Sequence, residues 1–277
     1  SAPRLEPAAR PGRWVRLARR VRWYAPAVIV FVATLLLWEL IVGSIQVQGF
    51  PLPAPSEIAT ALGENWDAGR WPIGKATGAT LFEAFGGLAI GTVAGIVVAG
   101  LTARFVTARE LLLPLAIGAS AVPIIAFAPI MNNWFGLADP LSKMMIAALL
   151  VFFPVMINTV RGLISVDPAA LELMRSTAAS DRDVLFKLRI PTALPFIFTA
   201  LKVAATLATI GAIVGEYFGA PRASLGQYIV QHAAYFDFER SWAAIILAAA
   251  IGISLYMLVL IAERLVMPWH ASVRGVE

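Results

Sequence analysis

Ionisable side chains are concentrated in one long polar interval in the second half of the chain, from Leu171 to Phe196. Seven charged residues fall inside this interval and two prolines close it: Glu172, Arg175, Asp181, Arg182, Asp183, Lys187, Arg189, Pro191 and Pro195. Charges of both signs on a short segment form directional hydrogen bonds with another protein surface. Because the interval lies between apolar segments, we expect a partner to bind it; the alternative is an ordinary solvated loop with one short helix.

A helix start is encoded within this interval. Ser180 can accept a hydrogen bond from the free N–H groups of a new helix, and Asp183 completes an S-x-x-D capping box. Acidic residues in the first turn and basic residues towards the end complement the helix dipole. Apolar residues at helical spacing form one side, namely Val184, Leu185 and Leu188. The pattern predicts a short amphipathic helix from about Ser180 to Leu188.

Motifs for catalysis are absent from the sequence. It has no G-x-x-x-x-G-K-[ST] phosphate-binding loop, no H-E-x-x-H and no nucleophile elbow. It has no cysteine, and its two histidines, His232 and His270, are far apart. We also find no paired carboxylates within a predicted membrane segment of the kind that a proton relay uses. We therefore assign no catalytic, cofactor-binding or metal-binding residue to this chain.

The composition indicates a membrane protein. Of 277 residues, 59% are hydrophobic and 14% are charged, against roughly 25% charged in a soluble domain. Such an apolar excess cannot be buried within a monomer of this size. We predict an all-α fold in which a domain over residues 25–268 has six transmembrane helices, at about 26–42, 76–101, 111–130, 142–160, 197–214 and 242–266. We expect a loop or re-entrant stretch over residues 220–240.

The two ends of the chain are basic. The first 24 residues contain seven arginines, and the run from Arg13 to Trp23 places apolar residues on one helical face. We predict an interfacial amphipathic helix there, kept as an anchor, and a short cytoplasmic tail over 269–277. If both termini are cytoplasmic, 16 of the 22 Lys and Arg residues lie inside and five outside. Lys202 is then near the inner end of its span, where we expect it to snorkel.

Polar and small residues in or beside the predicted spans have two alternative roles. Three glycines at G-x-x-x-G spacing, Gly87, Gly91 and Gly95, predict close helix packing. Three prolines break the third span, and broken helices often line transport pathways. Five polar residues are candidates for the pathway, although interhelical hydrogen bonds explain each equally well: Ser120, Asn132, Asn133, Asn158 and Glu216. Glu83 is a further, weaker candidate.

Two classes of function fit these observations. One is a pathway subunit that is driven by an ATPase on a separate polypeptide. The alternative is a self-sufficient secondary transporter of a small solute. A secondary transporter usually shows internal repeats and charges near the bilayer midplane. We find no convincing repeat, and only the first class explains a capped helix in the cytoplasm, so we favour the first.

Three separated stretches resemble the permeases of ABC importers. The cytoplasmic loop of that family reads E-A-A, with Gly four residues on and I-x-L-P ten residues after that Gly. Glu172 matches the Glu, Ala178 stands for the Gly, and residues 188–191 match I-x-L-P, whereas Leu173 and Met174 replace both alanines. The runs LPAPSEI and VPIIAFAPIMNNWFG are also similar to family segments. The resemblance implies a type I importer permease fold, in which the predicted helix is a coupling helix.

The resemblance also implies partners and roles. Residues 161–196, here called the coupling loop, are expected to dock on a separate ATPase, which binds ATP and Mg. From the motif match and the helix pattern together, the residues that we expect to take part in this coupling are Glu172, Ala178, Ser180, Asp181, Asp183, Val184, Phe186, Lys187, Arg189 and Pro191. A second permease chain, identical or different, two ATPase subunits and an extracytoplasmic solute-binding protein are implied, in a bacterial inner membrane. Nucleic acid is not an expected partner.

The resemblance places the chain in a branch that imports nitrate, sulfonates, taurine or bicarbonate, with relatives that carry riboflavin or a thiamine pyrimidine precursor. The segment IGAIVGEYFGA is more similar to the relatives that carry heterocycles. For the mechanism, we expect ATP-driven closure to move the coupling helix as a lever. Pro191 and Pro195 are expected to form a stiff corner between this helix and the fifth span. The fifth span would then move against the third and fourth.

Overall fold

The computed structural model describes residues 13–44, 52–68, 72–219 and 223–269. This part of the chain is helical and contains no strand, as the sequence predicts. The predicted N-terminal segment before Arg13 and the predicted tail after Trp269 lie outside the described residues. The helices are α1 (Arg13–Ser44), α2 (Pro55–Asn65), α3 (Ile73–Arg104), α4 (Val106–Ser120), α5 (Ala128–Phe135), α6 (Pro140–Ile164), α7 (Pro168–Ser176), α8 (Asp181–Val184), α9 (Ile190–Tyr217), α10 (Leu225–Ala234) and α11 (Phe238–Val266).

Five helices in the described residues are long and apolar enough to cross a membrane, and a sixth crossing requires a bent pair. The pair consists of α4 and the segment Ile124–Phe135, which begins with a 3₁₀ turn, and the bend between them is 85°. The predicted third span over 111–130 is therefore not one straight helix. Pro123 has no N–H to continue the α4 ladder, so the chain turns there.

The first helix differs from its prediction. We expected an interfacial helix up to residue 24 followed by a separate span from residue 26, but α1 runs without a break from Arg13 to Ser44. Pro26 lies inside it. Trp38 of α1 makes an edge-to-face contact with Trp242 of α11, with ring centroids 5.9 Å apart. Most of the apolar side chains of α1 from residue 24 onward are exposed, as lipid-facing residues are.

The start of α2 is fixed by a residue of α1. The helix begins at Pro55, and the Glu57 carboxylate accepts a hydrogen bond from the Ala54 N–H at 2.8 Å. The Ser56 N–H and hydroxyl both donate to the carboxylate of Glu39, at 3.1 and 2.6 Å. Ser56 thus links α1 to α2 by hydrogen bonds and does not act as the N-cap of α2.

Glycines allow α6 to approach both of its neighbours closely. Gly87, Gly91 and Gly95 of α3 face α6, and a Cβ atom at Gly91 would lie 2.5 Å from the Ala148 carbonyl oxygen. On the other side, a Cβ atom at Gly211 of α9 would lie 2.5 Å from Ala147 Cα. Backbones in direct contact gain dispersion energy that larger side chains would prevent. The helices α3, α6 and α9 therefore form the tightly packed centre of the molecule.

The predicted corner at Pro191 and Pro195 is wrong, because one helix of 37 residues runs from Asp181 to Tyr217. Residues Leu185–Arg189 form a π-helical turn, in which the Ile190 N–H donates to the Leu185 carbonyl five residues back. This wider turn gives room for the Pro191 ring, which would clash with a carbonyl in regular α-helix. The Thr192 hydroxyl donates to the Leu188 carbonyl at 2.7 Å and so supplies a further donor there.

The stretch that we expected to be a loop or re-entrant contains α10. This helix packs against α3, α9 and α11. The Ser241 hydroxyl of α11 donates to the Ile229 carbonyl at 3.3 Å, and His232 Nδ1 lies 3.0 Å from Asp237 Oδ2. The mixed polarity of residues 220–240 did not indicate this helix, whose apolar side is covered by three others.

Candidate functional site

The coupling loop begins with α7, which is capped at both ends. At its start, the Asp167 carboxylate accepts a hydrogen bond from the Ala169 N–H at 3.0 Å. At its end, the N–H groups of Ala178 and Ala179 donate to the carbonyls of Arg175 and Met174, both at 3.0 Å. These two bonds form a Schellman motif, in which Ala178 has the left-handed φ of +52°. The family's glycine at this position has a physical reason, because glycine has no Cβ to strain.

The second helix of the loop has the start that the sequence predicts. The Asp183 N–H donates to Ser180 Oγ at 3.2 Å, and the Ser180 hydroxyl donates to Asp183 Oδ2 at 2.5 Å. Lys187 Nζ lies 2.6 Å from Asp183 Oδ1, one helical turn away. Hydrogen bonds from Lys187 and from Ser180, together with the charge of Lys187, lower the pKa of Asp183 to about 2. The first turn thus carries a carboxylate that stays ionised at physiological pH.

The predicted coupling residues lie together on this loop, and most of them are exposed. Phe186 has 65% of its surface exposed, and Leu173 on α7 has 66%. The exposed predicted residues are Glu172, Ala178, Ser180, Asp181, Phe186 and Lys187, whereas Asp183, Val184, Arg189 and Pro191 are half-buried. A large apolar ring held outward by a capped helix is typical of an anchor for another protein.

The five predicted pathway residues do not form one site. The Ser120 hydroxyl donates to the Ile117 carbonyl of its own helix, and Asn158 Nδ2 donates to the Pro154 carbonyl of its own helix. Asn133 is exposed at the end of α5. Asn132 and Glu216 are both buried, and Asn132 Nδ2 donates to the Phe218 carbonyl at 3.4 Å. Of the five residues, only Asn132 and Glu216 lie in the same region of the bundle.

Glu216 is the centre of a buried polar cluster that the sequence did not reveal. Its side chain is fully buried and accepts hydrogen bonds from the Thr80 hydroxyl and the Gly226 N–H, both at 2.6 Å. The Glu83 carboxyl contributes a further hydrogen bond, and the Lys143 ammonium interacts with Glu216 by charge. Two carboxyl groups on different spans are therefore neighbours, contrary to our expectation. The sequence does show one Glu in each of two spans, Glu83 and Glu216, but no local pattern predicts that the two side chains are in contact.

Two lysines also lie where the sequence did not place them. Lys143, which we counted among the outer charges, is buried, and its ammonium donates to the Leu137 carbonyl. Lys202, expected to snorkel, forms an ion pair with Glu263 of α11, with Nζ and Oε2 2.6 Å apart. Glu263 is buried, so this pair links α9 to α11 inside the bundle. Within the described residues, no group of three or more His, Cys, Asp or Glu side chains could hold a metal ion.

Comparison with known families decides the class of this protein. Residues 91–269 match the family described as "Binding-protein-dependent transport system inner membrane component". The chain belongs to this family. It is a multi-pass permease of the inner membrane and a subunit of an ABC importer for small solutes.

Several relatives are similar over most of their length. The riboflavin transport system permease protein RibX of Chloroflexus aurantiacus is 32% identical over 96% of this chain and 98% of its own. The formylaminopyrimidine transport permease protein ThiX of Halalkalibacterium halodurans is 32% identical over 87% of this chain and 94% of its own. The putative aliphatic sulfonates permease SsuC of Bacillus subtilis is 29% identical over 96% of this chain and 93% of its own.

A solved structure supports the fold. The crystal structure of an amino acid ABC transporter with histidines contains a chain that superposes with a TM-score of 0.55 at 19% identity. The match covers 69% of this permease and 92% of that chain. The type I importer permease fold that the sequence predicts is confirmed.

Proposed function

We propose that this permease forms the translocation pathway for a small polar solute and is driven through its coupling loop by a separate ATPase. The observation that carries this proposal is the exposed Phe186 on a helix that continues without a break into a membrane span. An apolar ring in water costs free energy unless a partner covers it. The ATPase would bind ATP and Mg, and this chain would bind neither.

The orientation follows from the distribution of charge. We propose that both termini and the coupling loop are cytoplasmic, because the basic residues within the first 24 positions, near the junction of α3 and α4 and in the coupling loop outnumber those at the other ends of the spans. The α2 and α10 helices then lie on the extracytoplasmic side, where a solute-binding protein would deliver the solute.

The mechanism of coupling needs a moving element, and we propose that α9 moves with α6. The close glycine contacts between them leave no room for sliding, since Gly211 meets the Ala147 backbone. The bent pair of α4 and α5 has fewer buried side chains and is the element against which the centre would shift. This replaces the expectation that the fifth span moves against the fourth.

For the solute, we propose a small heterocycle, of which riboflavin and formylaminopyrimidine are the examples named by the relatives at 32% identity. Sulfonates and taurine are the second candidates, because further relatives are named for them. The second permease of the complex is a copy of this chain or a different one. Capture by a co-encoded binding protein of radiolabelled riboflavin, formylaminopyrimidine or taurine would separate the solute classes.

Two substitutions in the coupling loop test the proposed coupling. Phe186→Asp and Glu172→Lys are expected to abolish ATP-dependent uptake into proteoliposomes, and Phe186→Asp also to reduce copurification of the ATPase. Tyr235→Asp is the matched control, because it too replaces an exposed aromatic ring, at the other end of the bundle, and should leave copurification unchanged. Normal coupled uptake in both loop variants, or uptake by the purified chain alone, would refute the proposal and support a secondary transporter.

A further inference from the structure

The first turn of α10 is capped by side chains from two other helices. The Leu225 N–H donates to Thr80 Oγ1 of α3 at 3.0 Å, and the Gly226 N–H donates to Glu216 Oε2 of α9 at 2.6 Å. Ser224 occupies the N-cap position, but its buried hydroxyl has no hydrogen-bond partner among the described residues. A helix start normally takes its cap from the residue before it. Here α10 can keep its N-terminal bonds only while α3 and α9 stay in place.

These four residues, Thr80, Glu216, Leu225 and Gly226, form what we call the clamp. The Thr80 hydroxyl donates to Glu216 Oε1 at 2.6 Å, so the three helices share one hydrogen-bond network. All four residues are buried. A Cβ atom at residue 226 would lie 2.7 Å from Glu216 Cβ and 2.8 Å from the Ile213 carbonyl oxygen, so only glycine fits there. Hydrogen bonds to a carboxylate in a dry environment are strong, which makes the clamp stiff.

The clamp lies at the opposite end of α9 from the coupling loop. The same 37-residue helix carries Phe186 near its start and Glu216 in its last turn. Beyond the clamp, α10 is joined to α11 through Ser241 and through the His232–Asp237 contact. A displacement at the coupling-loop end of this helix is therefore carried along the continuous helix to Glu216. From there it reaches α10 through the two short hydrogen bonds of Glu216.

From this arrangement we infer that Glu216 is a positioning residue, and that the clamp transmits movement of the coupling loop to α10 on the far side of the membrane. The inference rests on the proposed function, because it needs an ATPase to move the loop. It reassigns Glu216, which the sequence nominated for contact with the solute. A fully buried carboxylate that already accepts bonds from α3 and α10 is placed to hold helices.

Cysteine labelling on α7 and on α10 can follow the elements next to the two ends of α9 in the same complex. The described chain has no cysteine, so single cysteines can be introduced at Leu173→Cys on α7 and Val230→Cys on α10, both exposed positions. The full complex with its ATPase is reconstituted in proteoliposomes, and maleimide labelling rates are measured with and without ATP on a hydrolysis-deficient ATPase. We expect ATP to change the rate at both positions. With Thr80→Val added, the change at residue 173 should remain and the change at residue 230 should be lost.

Thr209→Val is the matched control for Thr80→Val. Thr209 is also buried, and its hydroxyl donates at 3.4 Å to the Ala205 carbonyl of its own helix, so its removal leaves the clamp intact. This variant should keep the ATP response at residue 230. Glu216→Gln provides a second test if Thr80→Val does not assemble, since the amide retains the shape but has one oxygen where the Thr80 hydroxyl and the Gly226 N–H each bond to a separate carboxyl oxygen.

The outcomes separate the two proposals. An ATP response at residue 173 with none at residue 230 in the otherwise unsubstituted chain overturns the clamp inference alone. The clamp inference alone is also overturned if Thr80→Val or Glu216→Gln retains the full ATP response at residue 230. If residue 173 does not respond to ATP in an assembled complex, the proposed coupling function fails first, and the clamp inference fails with it.

Discussion

Helices α3, α6 and α9 meet through glycines whose neighbours leave no space for a methyl group, whereas the coupling loop keeps its shape through hydrogen bonds between residues close in sequence. At the centre, the nearest atom to a Cβ at Gly91 or Gly211 is a backbone atom of α6, which cannot move independently of its helix. In the loop, Ser180 and Asp183 bond to each other and leave Phe186 free to contact a partner. The comparison distinguishes a centre that is held by contacts between helices from an exposed loop that is held by its own local hydrogen bonds.

The largest effect is expected at the glycine contacts. Gly91→Ala should lower the free energy of unfolding by about 1–3 kcal/mol, because the new methyl group overlaps the Ala148 carbonyl and Val151. Gly100→Ala on the same helix is the control, since nothing lies within 4 Å of its Cβ position, and there alanine should stabilise the helix by up to about 1 kcal/mol. Thermal unfolding in detergent measures both. Equal effects of the two variants would contradict the close-packing account.

A smaller, local effect is expected at the start of α8. Ser180→Ala should destabilise this first turn by about 1 kcal/mol, because the Asp183 N–H loses its acceptor. Hydrogen–deuterium exchange of the amides of residues 181–184 should become faster by the factor that corresponds to this loss of free energy. Exchange in α3 and α6 should stay unchanged. Unaltered exchange in the loop would show that the cap does not hold the helix.

The end of α7 should respond in the opposite direction. Ala178→Gly removes the strain of a left-handed alanine, whose φ is +52°, and should stabilise the Schellman motif by about 1 kcal/mol. Slower amide exchange at residues 178 and 179 is the expected readout. Ala179→Gly serves as the control, since residue 179 has no positive φ, and it should show no such slowing. Faster exchange in Ala178→Gly would contradict the strain argument.

The smallest effect concerns pH. Because Lys187 and Ser180 lower the pKa of Asp183 from 3.8 to about 2, the ionised carboxylate stabilises the folded loop at neutral pH and down to about pH 4. This contribution should be lost progressively as the pH falls from about 4 towards 2. Amide exchange in α8, corrected for its intrinsic pH dependence, should show the loss, and Asp183→Asn should remove the pH dependence. The effect should shrink at high salt, since the pair is exposed.

What could be predicted from the sequence was local. The Ser180 cap and the facing glycines follow from spacing rules within one helix, and each element that they define is present in the structure. The bend near Pro123 was signalled by prolines, although its 85° angle was not. The corner at Pro191 was wrong because a π-helical turn accommodates the ring without a break.

What could not be predicted depends on contacts between distant segments. Thr80 and Glu216 are 136 positions apart, and Glu39 and Ser56 belong to different helices. The same holds for Lys202 and Glu263, which form an ion pair between α9 and α11. The sequence alone predicted only that Lys202 lies near a membrane surface. A charge inside a span signals that a partner exists, but its identity is set by helix packing that no local pattern contains.

The length of the helix from Asp181 to Tyr217 has a mechanical consequence. Its 37 residues span about 55 Å, whereas the hydrocarbon layer is about 30 Å thick. If Tyr217 lies near one surface, the Asp181 tip stands roughly 40 Å from the midplane, and a 5° change of inclination swings it by about 3 Å. A rotation too small to disturb the glycine contacts between α3, α6 and α9 would therefore shift Phe186 by about the width of an atom.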